Sequence, residues 1–151
     1  TIAPTLSNIK LPGHLSFAGI KLPQLLDSYT HLVTEAAIFP KVFITEKSWK
    51  PVVAGQLFFI LGSPGIVSYL RDTGVDVFDD YIDHNHYDHE LDWRKRLALL
   101  YEVIDDFMTK DLHAIHNATL QRRIENHNKF YQGAFDRQYK QTFDNIIKQY
   151  Q

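Results

Sequence analysis

The chain has 151 residues, of which 44% are hydrophobic and 13% aromatic, and its formal net charge is −2. This composition excludes a disordered chain and predicts one domain with a substantial core over residues 1–151. The near-neutral charge gives no case for nucleic-acid binding, and the longest apolar run, residues 57–61, is too short to cross a bilayer. Because there is no cysteine, disulfides, thiol catalysis and cysteine-ligated zinc are excluded, and a cytoplasmic location is expected.

Residues 1–28 are rich in proline and glycine and predict an irregular lead-in. Residues 29–80 then predict strand, helix, strand, helix and strand. The first strand is expected at about residues 29–35, where polar and apolar side chains alternate, and the second in the continuously apolar QLFFILG. The short segment VDVF predicts a third strand. This order is typical of a parallel βαβ sheet.

Start and stop signals delimit the two helices of this unit. Thr45 is a good N-terminal cap for the first helix, and Gly55 is a natural stop. Pro51 lies inside that span, where proline is tolerated only in the first turn or at a kink. The second helix is predicted to begin at Pro64 and to stop at Gly74.

The remainder, residues 91–151, is predicted to be helical. The first helix has an apolar stripe at helical spacing, formed by Leu91, Trp93, Leu97, Leu100, Tyr101, Ile104 and Phe107. A second helix is expected from Asp111 to Gly133, and a third stripe runs from Phe135 to Tyr150. The last helix packs on the sheet or docks on a partner chain, so a homodimer through the C-terminal helices stays open. The predicted fold class is α/β: a small parallel, Rossmann-like sheet of three to four strands, flanking helices and a helical C-terminal third.

Polar residues cluster where the first strand leads into the first helix. In a βαβ unit this turn lies at the carboxyl edge of the sheet, where ligands of open α/β sheets bind. The helix N-terminus, capped by Thr45, suits a phosphate, and Lys47 adds a full positive charge. Glu46 beside it can accept hydrogen bonds from ribose or sugar hydroxyls. The alternative is ordinary capping, with Thr45 as the cap and Lys47 solvated.

The second strand-to-helix turn contains Gly62, Ser63 and Gly65, which bring the backbone close to any ligand there. Together with the first turn, it favours a nucleotide-diphosphate pocket over a metal site or a catalytic triad. Neither GxGxxG nor GxxxxGK[ST] is present. Ser63 is not a hydrolase nucleophile, because the GxSxG frame is absent.

The stretch FITEKSWKPVVAGQLFFILGSPG resembles the donor-binding signature of fucosyltransferase-like glycosyltransferases of the GT-B type. In that signature Thr-Glu-Lys precedes a short helix, a glycine, an apolar strand and Gly-x-Pro. The upstream THLVTE resembles the strand, ending in glutamate, that precedes the signature. The stretch is also similar to an uncharacterised group of phage and marine-bacterial proteins. The resemblance covers about residues 29–80.

The resemblance implies a Rossmann-like donor-binding domain that transfers a sugar from a nucleotide diphosphate sugar without an obligatory metal or other cofactor. It implies three catalytic residues: Glu35 near the sugar, Glu46 on ribose or sugar hydroxyls, and Lys47 at the diphosphate. It assigns the donor contacts to Thr45, Glu46, Lys47, Gly62, Ser63 and Gly65. The implied partners are the nucleotide-sugar donor and an acceptor-binding domain that is not in this chain.

The segment DHNHYDHE, residues 83–90, is the remaining candidate for chemistry. His84, His86 and His89 are the types of side chain that bind zinc, although HExxH is absent. The alternative is a polar loop that leads into the next helix. Two further functions therefore stay open: a non-catalytic interaction or oligomerisation module, and a metal-dependent hydrolase that uses this cluster.

Overall fold

The computed structural model describes residues 28–36 and 38–133. Within these residues the chain forms an α/β fold of two parallel strands and five α-helices. In chain order the elements are β1 (Thr30–Thr34), α1 (Glu46–Val53), β2 (Leu57–Leu61), α2 (Ile66–Asp72), a 3-10 helix (His84–His86), α3 (Trp93–Met108), α4 (Leu112–Ala118) and α5 (Leu120–Tyr131). The predicted lead-in falls almost wholly on residues 1–27 and the last apolar stripe on residues 135–150, both outside the described residues.

The two strands lie side by side in parallel, with Thr30 opposite Leu57 and Thr34 opposite Leu61. β2 is apolar at every position and almost fully buried, because α1 and α3 pack against it. β1 alternates instead, with Val33 buried and Leu32 exposed. The strands predicted at about residues 29–35 and in QLFFILG are therefore confirmed.

The third strand, predicted at residues 75–78, does not form. Side chains satisfy its backbone instead. The Asn126 amide accepts from the N–H of Asp76 at 2.9 Å and donates to the carbonyl of Asp76 at 2.7 Å. The His84 ring lies 2.9 Å from the Val77 carbonyl. Within the described residues the sheet thus has two strands rather than the predicted three to four.

Both predicted glycine stops are confirmed at the ends of α1 and α2. The Gly55 N–H bonds the Val52 carbonyl at 3.1 Å, and the Gln56 N–H bonds the Pro51 carbonyl at 2.8 Å. Gly55 has a φ of 61°, and Gly74 after α2 has a φ of 95°. This Schellman pattern needs a residue in the left-handed region, which glycine adopts without a Cβ clash.

The buried face of α3 differs from the predicted apolar stripe. Leu91 lies before the helix and is 80% exposed, and Trp93 and Tyr101 are also exposed. The buried residues of α3 are Arg96, Leu100, Val103 and Phe107. The prediction is confirmed for Leu100 and Phe107 and wrong for Leu91, Trp93 and Tyr101, because Arg96 and Val103 occupy buried positions of this face instead. Trp93 instead lies at the surface beneath the Arg94 guanidinium, 4.7 Å from the ring centre.

The helix predicted from Asp111 to Gly133 is two helices, α4 and α5, which meet at Thr119. The buried Thr119 hydroxyl donates to the carbonyl of Ile115 at 2.9 Å. The Thr119 N–H bonds the same carbonyl at 3.0 Å, and α5 begins at the next residue.

α5 binds the C-terminal end of α1 and thereby holds α1 in place. The buried Arg123 guanidinium donates to the Gly55 carbonyl at 2.7 Å and to the His116 carbonyl at 2.8 Å. The His127 ring donates to the Val53 carbonyl at 2.5 Å. Burial lowers the pKa of Arg123 to about 10. Cationic and N–H donors are favourable at helix C-termini, whose carbonyls lack partners in their own helix.

Candidate functional site

The carboxyl edge of the sheet is where the chain leaves β1 and β2. The Glu35 N–H continues the ladder by bonding the Leu61 carbonyl at 3.0 Å. Residues 35–45 lead from β1 to α1, and residues 62–65 lead from β2 to α2. Both helix N-termini therefore come to this edge, which is the position expected for a βαβ unit.

Glu35 ties the start of α1 to the end of β1. Its carboxylate is 9% exposed and accepts from the Thr45 hydroxyl at 2.6 Å and from the Thr45 N–H at 3.1 Å. It also accepts from the buried Ser48 hydroxyl at 2.5 Å. Burial raises the pKa of Glu35, but the hydrogen bonds from Ser48 and Thr45 and the charge of Lys47 outweigh burial and leave its pKa below the ordinary value. Glu35 is therefore an ionised clamp on α1 rather than a free base.

We expect Glu35→Gln to lower the free energy of unfolding by about 1–2 kcal/mol. Glutamine keeps the shape but loses the charge and turns an N–H₂ group toward Thr45 and Ser48, which are donors. Urea denaturation at pH 7 measures the change. Glu46→Gln is the matched control, because Glu46 is exposed in the first turn of α1 and its substitution should cost less than about 0.5 kcal/mol. Equal losses in the two variants would contradict the clamp.

Lys47 lies in the first turn of α1, one residue after the exposed Glu46. Thr45 is the N-cap as predicted, and its hydroxyl accepts from the Lys47 N–H at 3.3 Å. The Lys47 side chain is half-buried, and its charge acts on Glu35, so the ammonium is near the carboxyl edge. No carboxylate of residues 28–36 or 38–133 comes within ion-pair distance of this ammonium. Thr45, Glu46 and Lys47 are thus brought together at the edge.

A carboxylate of the protein occupies the N-terminus of α2. Asp88 is 1% exposed, and its two oxygens accept from the N–H groups of Val67 and Ser68, both at 2.9 Å. The Asp88 carbonyl accepts from the Gly65 N–H at 2.7 Å. The anion-binding groups of this helix tip are therefore already used within the protein.

The three predicted residues of the second turn have packing roles. Ser63 is fully buried, and its hydroxyl accepts from the Phe39 N–H at 3.2 Å. A Cβ on Gly62 would come 2.8 Å from the Ile66 side chain, so no other residue fits there without a shift. Gly65 has a φ of 78°, which favours glycine. Gly62, Ser63 and Gly65 thus lie at the edge, with their groups engaged in the fold.

The segment 38–43, hereafter the edge loop, lies across the carboxyl edge. Besides the Phe39–Ser63 bond, Val42 comes 3.9 Å from the position of a Cβ on Gly65. Residues 39–43 line a cavity of about 440 Å³ whose walls are almost entirely apolar. The rings of Phe39 and Phe43 lie edge to face with centres 5.1 Å apart and are 48% and 40% exposed.

The three histidines of residues 83–90 point to different partners. The His84 ring is fully buried between the Tyr87 hydroxyl at 2.7 Å and the Val77 carbonyl. His86 pairs with Glu102 at 2.9 Å at the surface. His89 lies 2.9 Å from the Ser68 hydroxyl. Residues 84–86 form a 3-10 helix.

Among the described residues, no group of three histidine, aspartate or glutamate side chains is arranged to hold a metal ion. The same residues contain no helix that combines the length and the apolar character needed to cross a bilayer. In comparisons with known proteins, no family model, no curated protein and no solved structure matches this chain.

Sequence reasoning missed two features of this edge. The first is the capping role of Asp88, which the sequence analysis included only as part of the candidate metal segment 83–90. This role leaves no local signal, because the helix that Asp88 caps begins about 20 residues earlier in the chain. The second missed feature is the edge loop, to which the sequence analysis gave no role. Its signal was visible as two phenylalanines and a valine in a short segment with no strand or helix period.

Proposed function

We propose that this domain binds the diphosphate of a nucleotide sugar at the N-terminus of α1, as the donor-binding part of a glycosyltransferase-like enzyme. The observation that carries the proposal is Lys47: a half-buried lysine in the first turn of a capped helix, at the carboxyl edge, without a carboxylate at ion-pair distance in the described residues. A positive side chain beside free helix amides is a general arrangement for phosphate recognition.

The contrast between the two helix tips supports the choice of α1. At α2 the Asp88 carboxylate takes the amides of the first turn, and a phosphate there would meet both an occupied tip and a negative charge. At α1 the Glu35 carboxylate binds the Thr45 amide and the hydroxyls of Thr45 and Ser48, not the amides of the first helical turn. Within the described residues no carboxylate takes an amide of the first turn of α1, although the Thr45 hydroxyl takes the Lys47 N–H. The Lys47 ammonium lies beside this turn and offsets the charge of Glu35.

In this proposal, sugar transfer breaks the bond between the sugar and the diphosphate and forms a bond from the sugar to the oxygen of an acceptor hydroxyl, whose proton passes to the departing diphosphate or to water. Lys47 stabilises the charge that grows on the departing diphosphate, and no metal is required for that step. Glu46 accepts hydrogen bonds from ribose or sugar hydroxyls. Glu35 acts through Thr45 and Ser48 as a positioning residue. A separate domain supplies the acceptor. In the same proposal, the two described strands belong to a Rossmann-like sheet of three to four strands.

Calorimetric titration of the full chain with GDP, UDP, ADP, CDP and inorganic pyrophosphate tests the binding step. We expect Lys47→Ala to weaken all of them by about 10- to 100-fold, because a hydrogen bond to a charged group contributes about 1.5–3 kcal/mol. Lys50→Ala is the matched control, since it removes the same charge one turn further from the start of α1, and it should weaken affinity less than about threefold. Glu46→Ala should weaken the nucleotides and leave pyrophosphate unchanged.

Two results would overturn the proposal: no binding of any of these ligands to the wild type, or equal losses in Lys47→Ala and Lys50→Ala. The first result would favour the alternative, a non-catalytic interaction module. The observation behind that alternative is the exposed apolar side chains on and before α3, namely Leu91, Trp93, Tyr101 and Met108.

A further inference from the structure

The edge loop combines three properties that are unusual at a protein surface. Its cavity of about 440 Å³ is largely open to solvent and is large enough for part of a small molecule. Its lining is almost entirely apolar, with the rings of Phe39 and Phe43 partly open to solvent. The loop is also held at both ends, by the Phe39–Ser63 bond and by the bonds from Thr45 to Glu35. An apolar cavity in an anchored loop predicts a ligand with a flat apolar part.

The cavity adjoins the proposed diphosphate site along the chain. Phe43 lies two residues before the cap Thr45 and four before Lys47, and Val42 packs toward Gly65 on the other side of the edge. Lys41 contributes to the cavity wall. Apolar walls next to two lysines match a molecule that joins an aromatic ring to an anion. A nucleoside diphosphate has this composition.

Resting on the proposed function, we propose that the nucleobase stacks on the ring of Phe39, which Phe43 supports edge to face, and that the base is not read by hydrogen bonds. Stacking on aromatic side chains tolerates every base, because every base has a π-face. Apart from Lys41, the side chains that line the cavity are apolar, so they do not distinguish bases that differ only in their exocyclic substituents. Purines bury more ring area than pyrimidines. The domain therefore accepts ADP and GDP alike and prefers both to CDP and UDP.

The test measures dissociation constants of the full chain for ADP, GDP, CDP, UDP and inorganic pyrophosphate by calorimetry. We expect ADP and GDP to agree within about threefold and each to bind at least about threefold tighter than CDP and UDP. Phe39→Ala should weaken the purine nucleotides by about tenfold and leave pyrophosphate unchanged. Ile38→Ala is the control, because Ile38 is an exposed apolar neighbour that does not line the cavity.

The outcomes separate this inference from the proposed function. Preference for one purine over the other by more than tenfold, or unchanged nucleotide affinity in Phe39→Ala, overturns the stacking site. If pyrophosphate still binds and still depends on Lys47, the proposed function stands in either case. Failure of the wild type to bind any of the five ligands overturns both.

Discussion

Substitution of Asp88 by alanine is expected to lower the free energy of unfolding by about 3–5 kcal/mol. The carboxylate is buried and serves the first-turn amides of Val67 and Ser68. It also acts electrostatically on Arg96, whose side chain is buried in α3. Arg96 donates one N–H to the Glu90 carbonyl, while its Nε and Nη2 have no hydrogen-bond partner in the part of the chain that the structure describes. Alanine at position 88 thus leaves two amides unpaired and a buried cation without its nearest compensation.

Urea denaturation at pH 7 measures this effect, with two companion variants. Asp88→Asn keeps the shape and one acceptor oxygen, so its cost should be about half that of alanine. Asp83→Ala is the matched control, because Asp83 is an exposed acid of the same segment whose side chain makes no capping bond, and we expect less than about 0.5 kcal/mol. If Asp88→Ala lost less than about 1 kcal/mol, the capping role of Asp88 would be refuted.

Acid is expected to destabilise the protein through His84. The ring is fully buried, and burial lowers its pKa to about 4, against 6.5 for an unperturbed histidine. Below pH 6.5 the unfolded chain therefore binds a proton that the folded chain does not, and stability falls as the pH drops from about 6.5 to about 4. Over this window the loss amounts to about 3 kcal/mol for His84.

The physical cause is a chain of buried hydrogen bonds beside β2. The Ile60 N–H donates to the Tyr87 hydroxyl at 3.5 Å, and this hydroxyl lies 2.7 Å from His84 Nδ1. The other ring nitrogen, Nε2, lies 2.9 Å from the Val77 carbonyl, which can only accept, so Nε2 carries the proton. A second proton, on Nδ1, would remove the acceptor for the Tyr87 hydroxyl proton and would place a charge in the core.

His84→Gln isolates this contribution, because glutamine offers a donor and an acceptor but does not titrate. We expect the variant to be about 2 kcal/mol less stable than the wild type at pH 7, equally stable near pH 5, and about 1 kcal/mol more stable at pH 4. His86→Gln, at the exposed neighbouring histidine, should keep the acid sensitivity of the wild type. Parallel stability curves for wild type and His84→Gln between pH 7 and pH 4 would contradict the assignment. His116, whose pKa burial also lowers to about 4, acts in the same direction in all three proteins.

The elements of the βαβ unit were predictable because their signals are local. The apolar run of β2, the Thr45 cap and the stops at Gly55 and Gly74 each depend on residues within one turn of the element that they define. The bounds of β1 and α1 therefore agree with the prediction to within one or two residues.

The errors arise where long-range contacts compete with local preference. VDVF has strand propensity, but its backbone hydrogen-bonds side chains instead of a neighbouring strand. The partners are Asn126 of α5 and His84 of the 3-10 helix. The sequence predicts a solvent-exposed side chain for Arg96, but this side chain is buried. α3 therefore buries Arg96 and leaves Leu91 and Trp93 exposed. The sequence does not show which backbone groups Asn126, His84 and Arg96 contact, because these groups lie in other elements.

The candidate site divides in the same way. The sequence by itself determined that Thr45, Glu46 and Lys47 begin a helix after a strand, and topology alone brings that turn to the carboxyl edge. Only the tertiary structure decided which groups stay available there. The Glu35 carboxylate accepts hydrogen bonds from Thr45 and Ser48, and the Asp88 carboxylate binds amides at the N-terminus of α2. The Lys47 ammonium has no ion-pair partner within the described residues. The reason is that a helix tip attracts any anion within reach, and whether a carboxylate reaches it depends on how distant segments pack.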